Sequence, residues 1–108
     1  MWSDENDNIE KIYEDFYDIK NFPAECPVCG RKAAHLYAHI YDAKTRKGGL
    51  WVWCSDCKSF SHGSIKVPDF WKNCPIIELE KLCAVPIYLE EMKESIDAYV
   101  NMIKENNI

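Results

Sequence analysis

Four of the six cysteines fall into two CxxC pairs, Cys26-Pro-Val-Cys29-Gly30 and Cys54-Ser-Asp-Cys57-Lys58, with 24 residues between them. Each pair presents two thiolates from one tight turn. Together they supply four soft ligands for a single tetrahedral ion, most often zinc, at Zn–S distances of about 2.3 Å. Pro27 presets φ just after the first ligand, and Gly30 can take the left-handed conformation that turns backbone amides toward sulfur. Four thiolates leave no open position for water, so the expected cofactor is one structural Zn2+ held by Cys26, Cys29, Cys54 and Cys57.

Disulfides and thiol redox chemistry are the competing uses of such pairs. Disulfides need an oxidising compartment. The segment Met-Trp-Ser-Asp-Glu-Asn-Asp has neither a basic n-region nor an apolar h-region, and no apolar run nears membrane-spanning length. A cytoplasmic protein without a membrane partner is the expectation. A thioredoxin-like pair needs one CxxC at a helix start within a βαβ pattern, which two pairs flanking a hairpin do not fit. Cys74 and Cys83 lie in a segment rich in Ile and Leu and read as small buried hydrophobes.

His35 and His39 would stand about 6 Å apart on a helix, close enough to share an ion. On a strand they would be about 13 Å apart and could not. The hairpin reading favours the strand, so no histidine site is expected. His62, five residues past Cys57, could substitute as a ligand, but reads more simply as a loop or strand histidine near the metal. No phosphate-cradling glycine loop, GxSxG or HExxH is present, and the chain is expected not to be an enzyme.

The formal charge of −5 is unevenly spread. Residues 1–25 carry two lysines against eight acids and residues 74–108 three against seven, whereas residues 26–73 carry eight Lys/Arg against three acids. Acidic flanks around a metal-fixed centre suit a basic protein partner, with Glu10, Glu14, Asp15 and Asp18 as the candidate contacts. The alternative is nucleic acid, met by Arg31, Lys32, Lys44, Arg46 and Lys47. Those residues interleave with Tyr37, Tyr41, Trp51, Trp53, Phe60, Phe70 and Trp71, which could stack bases. Against that, a small ribbon has little aliphatic core and uses indoles to fill it, so Trp51 and Trp53 are expected to pack inside.

Positioning these residues requires one α+β domain spanning 1–108. Ile9, Ile12, Phe16 and Ile19 recur at helical spacing, which predicts an N-terminal helix over 1–22 capped by Asp7. Residues 33–41 alternate as a strand, Lys44–Gly49 make a basic turn, Leu50–Trp53 return as a second strand, and Phe60–Val67 can add a third. C-terminal helices are predicted over 75–106. Pro75 would start one with Ile76, Leu79 and Leu82 inward, and Pro86 would open a last one whose seam is Leu89, Met92, Ile96, Tyr99, Val100 and Ile103.

The segment from Cys26 to Val67, about two fifths of the chain, resembles the zinc-ribbon superfamily through its two knuckles and the hairpin between them. The resemblance implies a central β-hairpin or three-stranded sheet, flanked here by the terminal helices. Lys58 departs from the small residue frequent at that place in the family, implying a less regular second turn. In size, acidity and lack of a catalytic set, the whole chain is similar to small bacterial immunity proteins that neutralise a delivered toxin. That implies a non-enzymatic protein-binding module.

Overall fold

Residues 32–54 follow the strand period, and the computed structural model, which describes residues 1–106, builds them into an antiparallel hairpin. β2 (Lys32–Asp42) pairs with β3 (Lys47–Cys54), placing His35 opposite Trp53, Leu36 opposite Val52 and Tyr37 opposite Trp51. β4 (Phe60–Lys66) pairs with β3, and the two-residue β1 (Ala24–Glu25) pairs with β2. The sheet therefore has four strands in the order β1-β2-β3-β4, one more than expected, because the chain entering the first CxxC turn is already paired. At the hairpin, Gly48 lies against β2: a Cβ there would stand 2.0 Å from the His39 carbonyl oxygen.

Both faces of the sheet are covered, which is why β2 reads as an almost unbroken buried run. His35, Tyr37 and His39 share one face with Trp51 and Trp53, and α3 (Lys93–Asn106) packs there. Trp51 and Trp53 are fully buried, as expected. Leu36, Ala38, Leu50 and Val52 line the other face beneath the N-terminal segment, which buries Ile9, Ile12 and Phe16.

The N-terminal helix is far shorter than its periodicity predicts. Asn6, not Asp7, is the cap, accepting from the Asn8 amide at 3.0 Å. A 3₁₀ turn over Asp7–Glu10 leads into α1 (Lys11–Glu14), and only turns follow. A longer helix would place Asp15 and Asp18 at the negative end of its dipole, with aromatic residues of modest propensity between them. The chain turns instead and brings Phe16 to 6.1 Å from Phe22, centroid to centroid.

The predicted helix at Pro75 is also absent. Residues 75–82 form a turn and a 3₁₀ helix over Leu79–Lys81, leaving Ile76 and Leu79 exposed and burying Ile77. The stretch between Pro75 and Pro86 spends its backbone groups on side chains. Trp51 Nε1 donates to the Cys83 carbonyl at 2.9 Å, and the Tyr88 hydroxyl bridges the Glu78 amide and the Ile76 carbonyl. α2 (Ile87–Glu91) and α3 then follow, with Leu89, Ile96, Val100 and Ile103 buried and Met92 and Tyr99 half-buried along the predicted seam.

An unpaired sheet edge is a row of unused donors and acceptors. Side chains close the edge of β2. Trp71 Nε1 donates to the Ala38 carbonyl at 2.7 Å, while the Asn73 amide accepts from the Ile40 N–H at 2.7 Å and donates to the Ile40 carbonyl at 3.0 Å. The strap carrying them is tied to the hairpin by Arg46, whose guanidinium donates to the carbonyls of Val67, Pro68 and Trp71.

Candidate metal centre

The first CxxC turn joins β1 to β2 and the second joins β3 to β4, and the two are built alike. The Gly30 amide donates to the Cys26 carbonyl at 2.8 Å, and the Lys58 amide donates to the Cys54 carbonyl at 3.1 Å. The Val28 amide points at Cys26 Sγ at 3.3 Å, matched by the Asp56 amide at Cys54 Sγ, 3.4 Å away. Gly30 and Lys58 follow the second cysteine of each pair and both are left-handed, at φ 79° and 63°. The expected irregularity at Lys58 is thus absent. Its ammonium reaches back over the Trp2 ring, 4.8 Å from the centroid.

β2 and β3 run side by side from the hairpin and deliver both turns to the same end of the sheet. All four Sγ atoms lie within 4.8 Å of one another, with Cys26–Cys57 at 3.8 Å and Cys29–Cys54 at 3.7 Å. Sulfurs tetrahedrally bound at about 2.3 Å would be about 3.8 Å apart, so the cluster has the dimensions of a four-thiolate metal site. Cys26 and Cys54 are buried, Cys57 is half-buried and Cys29 is exposed. Burial pushes the Cys54 thiol up to about 12 and raises Cys26 as well. Burial opposes ionisation of Cys57 too, but the Ser59 hydroxyl and amide, with the Cys54 and Cys26 sulfurs, bring it down to about 7. Buried thiols that resist ionisation become ligands when a cation displaces their protons.

Beside the second turn lies a buried polar network whose members are far apart in sequence. His35 Nδ1 is 2.8 Å and 3.0 Å from the two Asp97 carboxylate oxygens, and His35 Nε2 is 2.8 Å from Ser55 Oγ. Ser55 donates to Glu90 Oε1 at 2.7 Å, Trp53 Nε1 donates to the same oxygen at 3.0 Å, and Lys93 Nζ holds Oε2 at 3.0 Å. Burial opposes ionisation of Glu90, yet these three hydrogen bonds hold its carboxyl below the usual range.

Ser55, His35 and Asp97 have the spacing of a nucleophile–base–acid triad. The hydrogen-bond inventory gives them another task. The one Ser55 hydrogen goes to the Glu90 carboxylate, so the Ser55 oxygen faces His35 Nε2 as an acceptor, and Nδ1 meets Asp97. In this arrangement the Ser55 proton is directed at Glu90 rather than at His35. The set ties β2, the second metal turn, α2 and α3 into one satisfied polar cluster.

The other predicted residues are dispersed. Glu10 and Glu14 overlook β4, and Glu10 accepts from the Ser61 hydroxyl at 3.0 Å. Asp15 and Asp18 line a separate depression that also holds Lys11, Lys20 and Lys32. Arg31 and Lys32 sit beside the first metal turn, whereas Lys44, Arg46 and Lys47 sit at the hairpin, roughly 33 Å away along β2. Arg46 is occupied by the strap. Of the seven aromatics, Tyr37, Trp51, Trp53, Phe60 and Trp71 are buried, and Tyr41 alone is exposed.

His35 and His39 lie on a strand, as expected; His35 meets Asp97 and Ser55, and His39 meets the Tyr37 hydroxyl and Asn73. His62 stacks on Trp51 with centroids 4.4 Å apart, and its Nδ1 lies 3.1 Å from the Leu50 carbonyl oxygen rather than near a sulfur. Cys74 is buried as predicted, but Cys83 is exposed on the irregular stretch between the prolines. Sequence reading missed Ser55, Glu90 and Asp97. The one available signal was Asp97, an acid on the buried face of α3 between Ile96 and Val100. No helix among the described residues is long and apolar enough to cross a membrane. Comparison with family models, curated proteins and solved structures finds no match.

Proposed function

We propose that the chain is a zinc ribbon with one structural Zn2+, acting as a non-enzymatic protein-binding module of the immunity type. Zinc suits four thiolates at tetrahedral spacing with no ligand position left for substrate. The observation that carries the binding role is the exposed pair Glu10 and Glu14 beside β4; Asp15 and Asp18 are exposed as well but share their depression with Lys11, Lys20 and Lys32. Of the aromatics interleaved with the basic residues, Tyr37, Trp51, Trp53, Phe60 and Trp71 are buried in the core. Electrostatic complementarity with a basic protein would speed encounter and select the partner. Burial of the aromatics and separation of the two basic groups weigh against the nucleic-acid alternative, which needs a stacking platform beside a continuous basic track.

The test is affinity capture from the native cytosol at physiological salt, with nuclease treatment in parallel. The expected result is a basic protein that survives nuclease and is lost when Glu10, Glu14, Asp15 and Asp18 are all changed to lysine. Bound material that disappears with nuclease, or a partner retained by the charge-reversed variant, contradicts the reading.

A further inference from the structure

The two edges of the sheet are treated differently. The edge of β2 is closed by β1, Trp71 and Asn73. The edge of β4 is not. The register with β3 and the Cys54 N–H to Ser59 carbonyl bond turn the backbone groups of Ser59, Ser61, Gly63 and Ile65 inward. Those of Phe60, His62, Ser64 and Lys66 therefore point outward.

The chain already uses the start of this edge as a docking site. Ser3 forms a parallel bridge there, its N–H donating to the Lys58 carbonyl at 2.9 Å and its carbonyl accepting from the Phe60 N–H at 2.9 Å. Then the chain leaves. No backbone hydrogen bond reaches the outward groups of His62 or Ser64 among the described residues, and His62, Gly63, Ser64 and Lys66 are exposed.

Beside the bare stretch runs a groove of about 290 Å³. Half-buried Leu50 lines its floor with Val52 buried beneath, and Tyr13, Glu10 and Glu14 line its sides. Gly63 opens it. A Cβ at that position would meet nothing within 4 Å, so packing within the chain does not require a glycine. Its absence leaves the floor accessible from the edge.

We propose that β4 receives an extended peptide as a fifth strand. An apolar side chain opposite Gly63 enters the groove over Leu50, and basic side chains two residues to either side, on the same face of the added strand, meet Glu10 and Glu14. Main-chain pairing with His62, Ser64 and Lys66 supplies affinity, and the groove with its acidic rim supplies selectivity, as in other strand-addition interfaces. This inference rests on the protein-binding reading and names the half of the acidic surface that does the binding.

The test uses the metal-loaded full chain and a capped heptapeptide Thr-Lys-Thr-Val-Thr-Lys-Thr, which puts valine and both lysines on one face of a strand, with the same peptide carrying glutamate for lysine as control. The expected result is binding of the lysine peptide alone, with exchange of the His62 and Ser64 amide hydrogens slowed at least about tenfold. Ser64→Pro removes one outward N–H without touching the ladder to β3, a placement proline tolerates on an edge strand. It should weaken the peptide by at least about tenfold while metal content and melting temperature stay close to those of the unsubstituted chain. Gly63→Lys, which puts a positive charge in the groove, should do the same.

Lack of binding, equal binding of the glutamate peptide, or full binding by Ser64→Pro overturns the proposal. So does binding that perturbs Asp15 and Asp18 but leaves the His62 and Ser64 amides exchanging freely. That last outcome would leave the acidic-surface reading intact, which separates the two failures.

Discussion

At the scale of single residues, the two metal turns solve one problem with different amino acids. Both need a left-handed residue after the second cysteine; the first uses Gly30 and the second Lys58. A side chain in that region costs about 1–2 kcal/mol, and the Lys58–Trp2 contact returns about 0.5–1 kcal/mol. Gly30→Ala should therefore destabilise the metal-loaded protein by about 1–2 kcal/mol. Lys58→Gly should be neutral or stabilising by up to about 1 kcal/mol. Paired urea titrations check both, and a large loss at Lys58→Gly would mean that its side chain does more than sit over Trp2. The ligand cysteines were legible in the sequence because a CxxC pair is a local signal. The equivalence of Gly30 and Lys58 was not, because lysine gives no hint of a positive φ.

The His35 network also belongs at this scale. Asp97→Ala leaves His35 Nδ1 buried without its partner and should cost about 1–3 kcal/mol. Ser55→Ala removes only a bridging hydroxyl and should cost about 1–3 kcal/mol. A loss well under about 1 kcal/mol for either, measured as a shift in urea midpoint at unchanged slope, would contradict the structural place given to this network. None of this could be read from the chain order, since His35, Ser55, Glu90 and Asp97 meet only after the sheet and α3 have packed.

Among the elements, the hairpin was legible and the two predicted flanking helices were overdrawn. Strand alternation in residues 33–41 and 50–53 survives because both faces of that sheet are buried and the register is pinned by Trp51 and Trp53. The apolar period of residues 9–19 and 76–82 records which side chains go inward. It does not show that the backbone between them stays helical. In both stretches, acids or prolines shorten the helix and other partners take the backbone groups. The strap over β2 was invisible in sequence because its work is done by Trp71 and Asn73 side chains acting on strand backbone. Asn73→Ala strips both polar groups of Ile40 and should cost about 1–3 kcal/mol. It should also raise the tendency to associate at that edge, seen as concentration-dependent light scattering. A stable, monodisperse variant would show that the edge needs no such cover.

His39 links this element to pH. Burial holds its imidazole below the usual value of 6.5. The unfolded chain therefore takes up a proton at His39 before the folded one does, and stability falls as pH drops from about 6.5 toward the lowered folded value. Above that window the contribution is constant. The difference in stability between the unsubstituted chain and His39→Gln should shift across this window in the direction that disfavours the histidine at low pH. No shift would mean that His39 is not held neutral.

For the whole molecule, the four-cysteine cluster lies at one end of the sheet, where a bound ion would join the β1–β2 turn to the β3–β4 turn. Cys26 and Cys54, buried and resistant to ionisation, make poor free thiols and good ligands, so occupancy and folding should be one event. In small thiolate sites that coupling reaches about 10–16 kcal/mol, more than a domain of this size holds in reserve. The surface has a matching economy. Trp51, Trp53 and Trp71 are spent inside, the two basic groups lie at opposite ends of β2, and the acidic N-terminal segment stands beside an open edge. Charge asymmetry along the sequence pointed to acidic contacts. Only the fold divides them and places Glu10 and Glu14 over β4.

The measurement that bears most directly on this account is native mass spectrometry of the protein as purified, followed by chelator titration monitored by circular dichroism. The account predicts one zinc per chain, loss of β signal as the chelator removes it, and no zinc on Cys54→Ser. A chain that is metal-free as purified, or that keeps its sheet after complete removal of the metal, would contradict it.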